Sequence, residues 1–144
     1  MVLVEEAEFG SKAYEEMLCL RKRILRDPLG LEWTEEEESW EPRERHFGVR
    51  GDSGIIACVV IRPLGSRAVK LRQMAVELAW QGTGIGRGLL EGVEVMLVAD
   101  ERDRIELNAR DVAVGFYEKL GFSKVGEEFV EVTISHWKMV KTLR

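Results

Sequence analysis

The stretch Val76–Val95, VELAWQGTGIGRGLLEGVEV, sets Gly82, Gly84, Gly86 and Gly88 within seven residues. It then runs directly into a helical pattern, with Ile85, Leu89, Val93 and Met96 on one stripe. Glycine weakens helices, so four of them at a helix start need a reason. The first N–H groups of a helix have no partner, and the helix dipole adds partial positive charge there. Glycines let those N–H groups approach a phosphate without side-chain clash. The stretch therefore reads as a phosphate-binding loop between a strand and a helix.

Two common phosphate motifs fail. A P-loop needs G-x-x-x-x-G-K-[ST], and no lysine lies between Lys70 and Lys119. A dinucleotide fingerprint needs glycines at i, i+2 and i+5. Counting from Gly82, Gly84 or Gly86, the third position is Arg87, Leu89 or Glu91. The strand ahead of the loop also reads as part of a meander, not of a βαβ unit.

That meander comes from three runs. Phe47–Arg50 and IIACVVIRPL flank a GDSG turn, and GSR leads into AVKLRQMAVEL. Further upstream, Met1–Glu8 alternates weakly and reads as an edge strand. Ser11 caps a helix with Ala13, Met17, Leu20 and Ile24 at helical spacing, closed by Pro28 and Gly30. LEWTEEEESWEPRERH reads as a long acidic loop with one helical turn after Thr34. Downstream, RIELNA is a strand. Asp111 is expected to cap a short helix whose Ala113, Phe116 and Leu120 share a face, and Gly121 closes it. Two strands complete the chain. The order β-α-(α)-β-β-β-α-β-α-β-β predicts an α/β sandwich with a mixed sheet.

The chain has 144 residues, which suits one domain spanning 1–144. A formal charge of −5 disfavours nucleic-acid binding, which needs a basic surface. No apolar run reaches the roughly 20 residues of a membrane span. The N-terminus has no basic start followed by an apolar stretch, so a cytoplasmic location is expected. Cys19 and Cys58 lie in apolar surroundings and read as small buried hydrophobes. Two distant histidines make a metal site an unlooked-for feature.

A third glycine pattern fits. Gln81-Gly82-Thr83-Gly84-Ile85-Gly86 matches [QR]-x-x-G-x-[GA], which resembles the acetyl-CoA loop of the GNAT superfamily of N-acetyltransferases. LRQMAV precedes it, and IELNAR and AVGFYEKLGF follow at the family's spacing. The C-terminal TISHWKM resembles the PHxxM ending of one bacterial subgroup, as RILRDPLGL resembles its acceptor-side segment. Ser135 stands in place of that subgroup's proline, and Glu77-Leu78 in place of an Asp-Pro pair.

The resemblance implies a mostly antiparallel central sheet flanked by helices, with two splayed strands holding acetyl-CoA. It implies that Met74, Ala75 and Val76 pair with the pantetheine arm and that the Met74 N–H polarises the thioester carbonyl. It also implies that the N–H groups from Gln81 through Gly82, Thr83, Gly84, Ile85 and Gly86 to Arg87 cradle the pyrophosphate, with Arg87 adding charge or lying in solvent. Tyr117 matches the family acid that protonates the departing thiolate. Asn108 and Phe116 fall in the second cofactor-contacting segment. The acceptor would be a primary amine on a small molecule or peptide. A homodimer is compatible with the family, and a non-catalytic acetyl-CoA sensor is the alternative.

The base stays open between Glu77, His136 and a water relay. Glu77, at a strand end, reads as a surface glutamate. His136 either serves the acceptor or is a partly buried histidine bonded to backbone; His46 ranks below it. The run Glu35–Glu38 reads as a solvated face. Trp33 and Trp40 either cover the core or wall the acceptor pocket. The segment Arg26–Arg45 is expected to shape that pocket.

Overall fold

The computed structural model describes residues 2–131 and 133–143. Seven strands form one sheet in the order β1-β2-β3-β4-β5-β7-β6. They are β1 (Glu5–Ala7), β2 (Arg45–Gly51), β3 (Gly54–Leu64), β4 (Ala68–Val76), β5 (Arg104–Arg110), β6 (Ser123–Glu131) and β7 (Ile134–Thr142). Every pairing is antiparallel except β4–β5. The edge strand expected over Met1–Glu8 is therefore short; Met1 lies outside the described residues.

Both faces of the sheet are covered, and β3 is buried without a break from Ala57 to Ile61 for that reason. On one face lies α1 (Lys12–Arg21), capped by Ser11, whose hydroxyl accepts from the Tyr14 N–H at 3.2 Å. Tyr14, Met17 and Leu20 pack with Cys58 and Ala75. Cys19 falls off this stripe and is exposed, contrary to its sequence reading, whereas Cys58 is buried and its thiol is pushed up to about 12 by that burial. A π-helical turn (Lys22–Arg26) and a 3-10 turn (Asp27–Leu29) lead to Gly30, with φ 65°.

The segment read as a loop is more ordered than expected. Thr34 and Glu37 form a capping box that starts α2 (Glu35–Trp40). A buried cluster then ties the end of α2 to α1. Glu41 Oε1 accepts from Arg21 Nη1 and Nη2 at 3.0 and 2.9 Å and from the Tyr14 hydroxyl at 2.8 Å. Trp40 stacks between Arg43 and Arg62, with 4.3 and 4.2 Å to its ring centroid.

The other face carries α3 (Ile85–Ala99) and α4 (Val114–Lys119) over the larger core. Helix α3 links β4 to β5, which are parallel neighbours, so β4 ends the meander and also opens a βαβ unit. Local hairpin signals reveal the first role but not the second. The expected Asp111 cap is also absent. Asp111 opens a 3-10 turn, and its carboxylate accepts from Trp137 Nε1–H at 3.0 Å. That extra turn resets the helical phase, so α4 buries Val114 and Tyr117 and leaves Phe116 37% exposed. No helix of the described residues is long and apolar enough to cross a membrane.

Candidate active site

The site begins where β4 and β5 part. Their pairing runs from Ala68↔Arg104 to Leu71↔Leu107 and stops. Beyond it β5 stays with β7, while β4 kinks: Val60 pairs with Arg72 and Cys58 with Ala75, so Gln73 and Met74 together oppose Val59. This is a β-bulge, and Gln73 takes a left-handed φ of 45° there. Bulges re-aim side chains and end pairing. The result is a cleft of about 250 Å³ whose lining includes Gln73, Met74, Asn108 and Tyr117.

The four glycines have different physical reasons. Gly82 and Gly84 adopt φ of 76° and 91°, with open space where a Cβ would stand. They turn the chain so that α3 starts at Ile85 with no side chain capping it and no acidic residue in its first turn. Gly86 is small for packing, because a Cβ there would sit 2.9 Å from Met74 Cε and 3.4 Å from Phe116 Cζ. Gly88 serves a different contact: its Cβ would be 2.4 Å from Val2 Cγ2, and one at Gly92 would be 2.5 Å from Val4 Cγ2. The N-terminal segment thus lies in a groove on α3, and Gly88 is explained by packing, not by a phosphate.

The first intrahelical bond of α3 is Gly88 N–H to Gly84 O at 3.0 Å, which leaves the N–H groups of Ile85, Gly86 and Arg87 free of helical acceptors. Gln81 and Thr83 already donate their N–H groups to Leu78 O and Trp80 O, both at 3.3 Å. The Gln81 side chain donates to Val76 O at 3.0 Å and anchors the loop to β4. Within Gln81–Arg87, the N–H groups of Gln81 and Thr83 therefore already have backbone acceptors. Arg87 is an exposed side chain paired with Glu91 at 3.5 Å.

Tyr117 and Met74 meet in the cleft, the tyrosine hydroxyl donating to the thioether sulfur at 3.8 Å. The ring packs edge-on against Phe116 and Phe122, with centroids 5.1 and 5.6 Å away. Burial pushes its hydroxyl up to about 12, so it keeps its proton throughout the neutral range. Phe116 and Val76 do not line the cleft; they pack around Gly86, while the Ala75 side chain turns to α1.

His136 lines the same cleft and is 4% exposed. Its Nδ1 lies 2.7 Å from Ile134 O, which can only accept, so Nδ1 is the donating nitrogen and Nε2 is left for other partners. Glu131 Oε2 lies 3.8 Å from that Nε2. Glu77 sits elsewhere, held by Arg23 Nη1 and Nη2, and its carboxyl is lowered chiefly by that hydrogen bonding. His46 is buried under Glu41, whose carbonyl it meets at 2.9 Å.

The end of the cleft away from α3 holds further charges. Within Glu35–Glu38 only Glu37 turns inward. Burial works to raise its carboxyl, but Arg26 and the Thr34 N–H bind it and hold it below the ordinary value. Arg26 also stacks on Trp33, 4.5 Å to the ring centroid. Trp33 thus braces the wall of the cleft from behind. Arg72 donates to both Glu44 oxygens at 2.8 and 2.7 Å. Arg110, at the end of β5, reaches Leu25 O at 3.3 Å. For Arg72 and Arg110 the only sequence signal is charge inside otherwise apolar strands, KLRQM and ELNAR.

Comparison with known proteins shows the family and the fold. The model of the acetyltransferase (GNAT) domain matches residues 30–143. The chain is 30% identical to the uncharacterized N-acetyltransferase YitI of Bacillus subtilis, over 95% of this chain and 97% of the relative. A solved structure from Lactobacillus plantarum shares the fold at a TM-score of 0.87, with 16% identity and 99% of each chain covered. A GNAT family acetyltransferase from Elizabethkingia anophelis, itself solved with acetyl-CoA bound, shares it at 0.73, with 18% identity over 99% of this chain and 98% of that one.

Proposed function

The chain belongs to the GNAT family of acetyltransferases and is an acyltransferase, and from that premise we propose that it transfers acetyl groups from acetyl-CoA directly to a primary amine of a small molecule or peptide. The proposal treats residues 1–144 as one domain. The observation that carries it is the meeting, at the splay of β4 and β5, of Met74, Tyr117 and the uncapped start of α3. The fit to an anionic cosubstrate rests on free N–H groups at Ile85, Gly86 and Arg87 beside two left-handed glycines.

Acetyl-CoA, when bound, supplies an already activated acetyl group, so the protein needs no covalent nucleophile. The reading gives the start of α3 the pyrophosphate and gives β4 from Met74 to Val76, with Asn108 opposite, the pantetheine arm. The Met74 N–H takes the acyl oxygen as negative charge develops on it. Tyr117 donates its hydroxyl hydrogen to the departing sulfur. An ordinary thiol titrates near 8.5, well below about 12 for Tyr117. The tyrosine therefore acts first as a hydrogen-bond donor and does not ionise in advance.

The acceptor amine must lose a proton. His136 is the base in this reading, because it lines the cleft, its Nδ1 is anchored to Ile134 O, and Glu131 lies 3.8 Å from Nε2 to stabilise the imidazolium. Glu77 is unsuited because Arg23 occupies both its oxygens.

Calorimetric titration with acetyl-CoA, then a thiol-release assay across an amine panel, tests the reading. Saturable binding with amine-dependent release is expected. Binding with no release from any amine would replace the enzyme with a sensor, and failure to bind would overturn the reading of the glycine loop.

A further inference from the structure

Three observations in the acceptor end of the cleft point to what the amine carries. First, the Arg110 guanidinium is partly buried, donates only to Leu25 O, and has no carboxylate within 4 Å among the described residues. Its neighbours differ: Arg26 is held by both oxygens of Glu37, and Arg72 by Glu44. Burial, and then the Arg26 charge, lower the Arg110 value, as expected of a cation short of a counterion. Lys70 adds a further positive charge to the lining.

Second, Arg110 and His136 are direct partners across β5 and β7. Partners in an antiparallel pair project from the same face, with Cβ atoms about 5 Å apart. The unpaired guanidinium therefore stands beside the imidazole assigned above as base. Third, the Gln73 side-chain oxygen is buried in the same cleft with no partner. Its orientation is fixed because the Gln73 NH₂ group donates to Glu37 Oε2 at 3.3 Å, and a carboxylate can only accept. An unpartnered buried acceptor is costly unless something donates to it.

We infer that the acceptor is a small amino carboxylate: Arg110 binds its carboxylate, and the Gln73 oxygen takes an N–H of its amine. The inference rests on the acetyl-transfer reading above. The one acid of the Glu35–Glu38 run that lines the cleft, Glu37, does not oppose this, because Arg26 already holds both its oxygens. The bulge that opens the cleft also delivers Gln73 to this position, so one backbone irregularity serves both ends of the site.

The test uses the full chain loaded with acetyl-CoA. Thiol release is measured with the proteinogenic amino acids and, for each one consumed, with the decarboxylated amine and the amide. A charge-assisted contact of this kind is expected to favour the carboxylate by about ten- to a hundredfold in kcat/KM. In Arg110→Gln that ratio should fall to within about threefold of unity. Arg110→Lys should restore part of it, since a lysine keeps the charge but not the planar fork. A thermal-shift titration with the preferred acid should stabilise the wild type and not Arg110→Gln. Amines acetylated without regard to the carboxylate, or no amino acid consumed, would overturn the inference while leaving acetyl transfer intact. A tenfold loss of acetyl-CoA affinity in Arg110→Gln would also overturn it, by placing Arg110 on the cosubstrate. Failure of the wild type to bind acetyl-CoA would instead sink the parent reading.

Discussion

Removing the Glu41 carboxylate should destabilise this protein more than its location near the surface helix α2 implies. Arg21 is 1% exposed and Glu41 5%. One oxygen of Glu41 accepts three hydrogen bonds, two from Arg21 and one from Tyr14, and Arg72 lies 3.9 Å from the other oxygen. Glu41→Ala leaves a buried guanidinium without its counterion, which costs about 3–5 kcal/mol. It also orphans the Tyr14 hydroxyl, a further cost of about 1 kcal/mol or more. The total, about 4–6 kcal/mol, is a large part of a typical domain's stability. At this chain length 1 kcal/mol moves Tm by about 3–4 °C, so a fall of about 12–24 °C is expected. Arg21→Met/Glu41→Leu removes both charges and should recover much of that loss, because the pair is replaced by apolar volume. Urea unfolding of wild type, Arg21→Met, Glu41→Leu and the double variant gives the coupling energy. A Glu41→Ala cost below about 1 kcal/mol, or strictly additive variants, would refute the reasoning. Because Glu41 follows the helix carrying Glu37, the same variant should raise the KM for the amine.

Two further outcomes follow from single positions. Gly84→Ala forces an L side chain into φ 91° and should cost about 1–2 kcal/mol; calorimetry should show weaker acetyl-CoA binding, since the turn aims the first N–H groups of α3. His46 is buried, its Nε2 meets the Glu41 carbonyl at 2.9 Å, and its Nδ1 has no partner. Burial therefore lowers its value in the folded state. The unfolded chain takes up the proton first, so stability is full above about pH 6.5 and falls as pH drops below it. Denaturant midpoints at pH 7.5 and 5.5 should show this slope, and His46→Gln should flatten it.

The parts of the fold written in local pattern were legible. The Ser11 cap, the GDSG hairpin, the stripe of α3 and the Gly121 stop each depend on neighbours within a few residues. The capping box of α2 was equally local, since Thr34 and Glu37 stand three apart, yet the acidic composition masked it. Long-range features were different. Parallel pairing of β4 with β5 depends on how α3 packs, and the bulge at Gln73 has no glycine to announce it. Gly88 was misassigned because a glycine needed for packing against Val2 looks identical, in sequence, to one needed for a phosphate. The Asp111 cap failed because Trp137, 26 residues later, competes for the carboxylate. At the site, Tyr117, Met74 and Asn108 come from a family pattern, whereas Arg110 gains meaning only when the sheet sets it beside His136, and Gln73 only when the bulge turns it into the same cleft.

The central claim is that Tyr117 assists departure of the sulfur in an acetyl-CoA-dependent transfer. Tyr117→Phe keeps the ring that packs against Phe116 and Phe122 and deletes only the hydroxyl facing Met74. The direct measurement is kcat for amine-dependent thiol release alongside the calorimetric Kd for acetyl-CoA, in wild type and variant. The account predicts a fall in kcat of about 10²- to 10⁴-fold with Kd within about twofold of wild type. Undiminished turnover in Tyr117→Phe, or a loss of acetyl-CoA binding that matches the loss of rate, would contradict it.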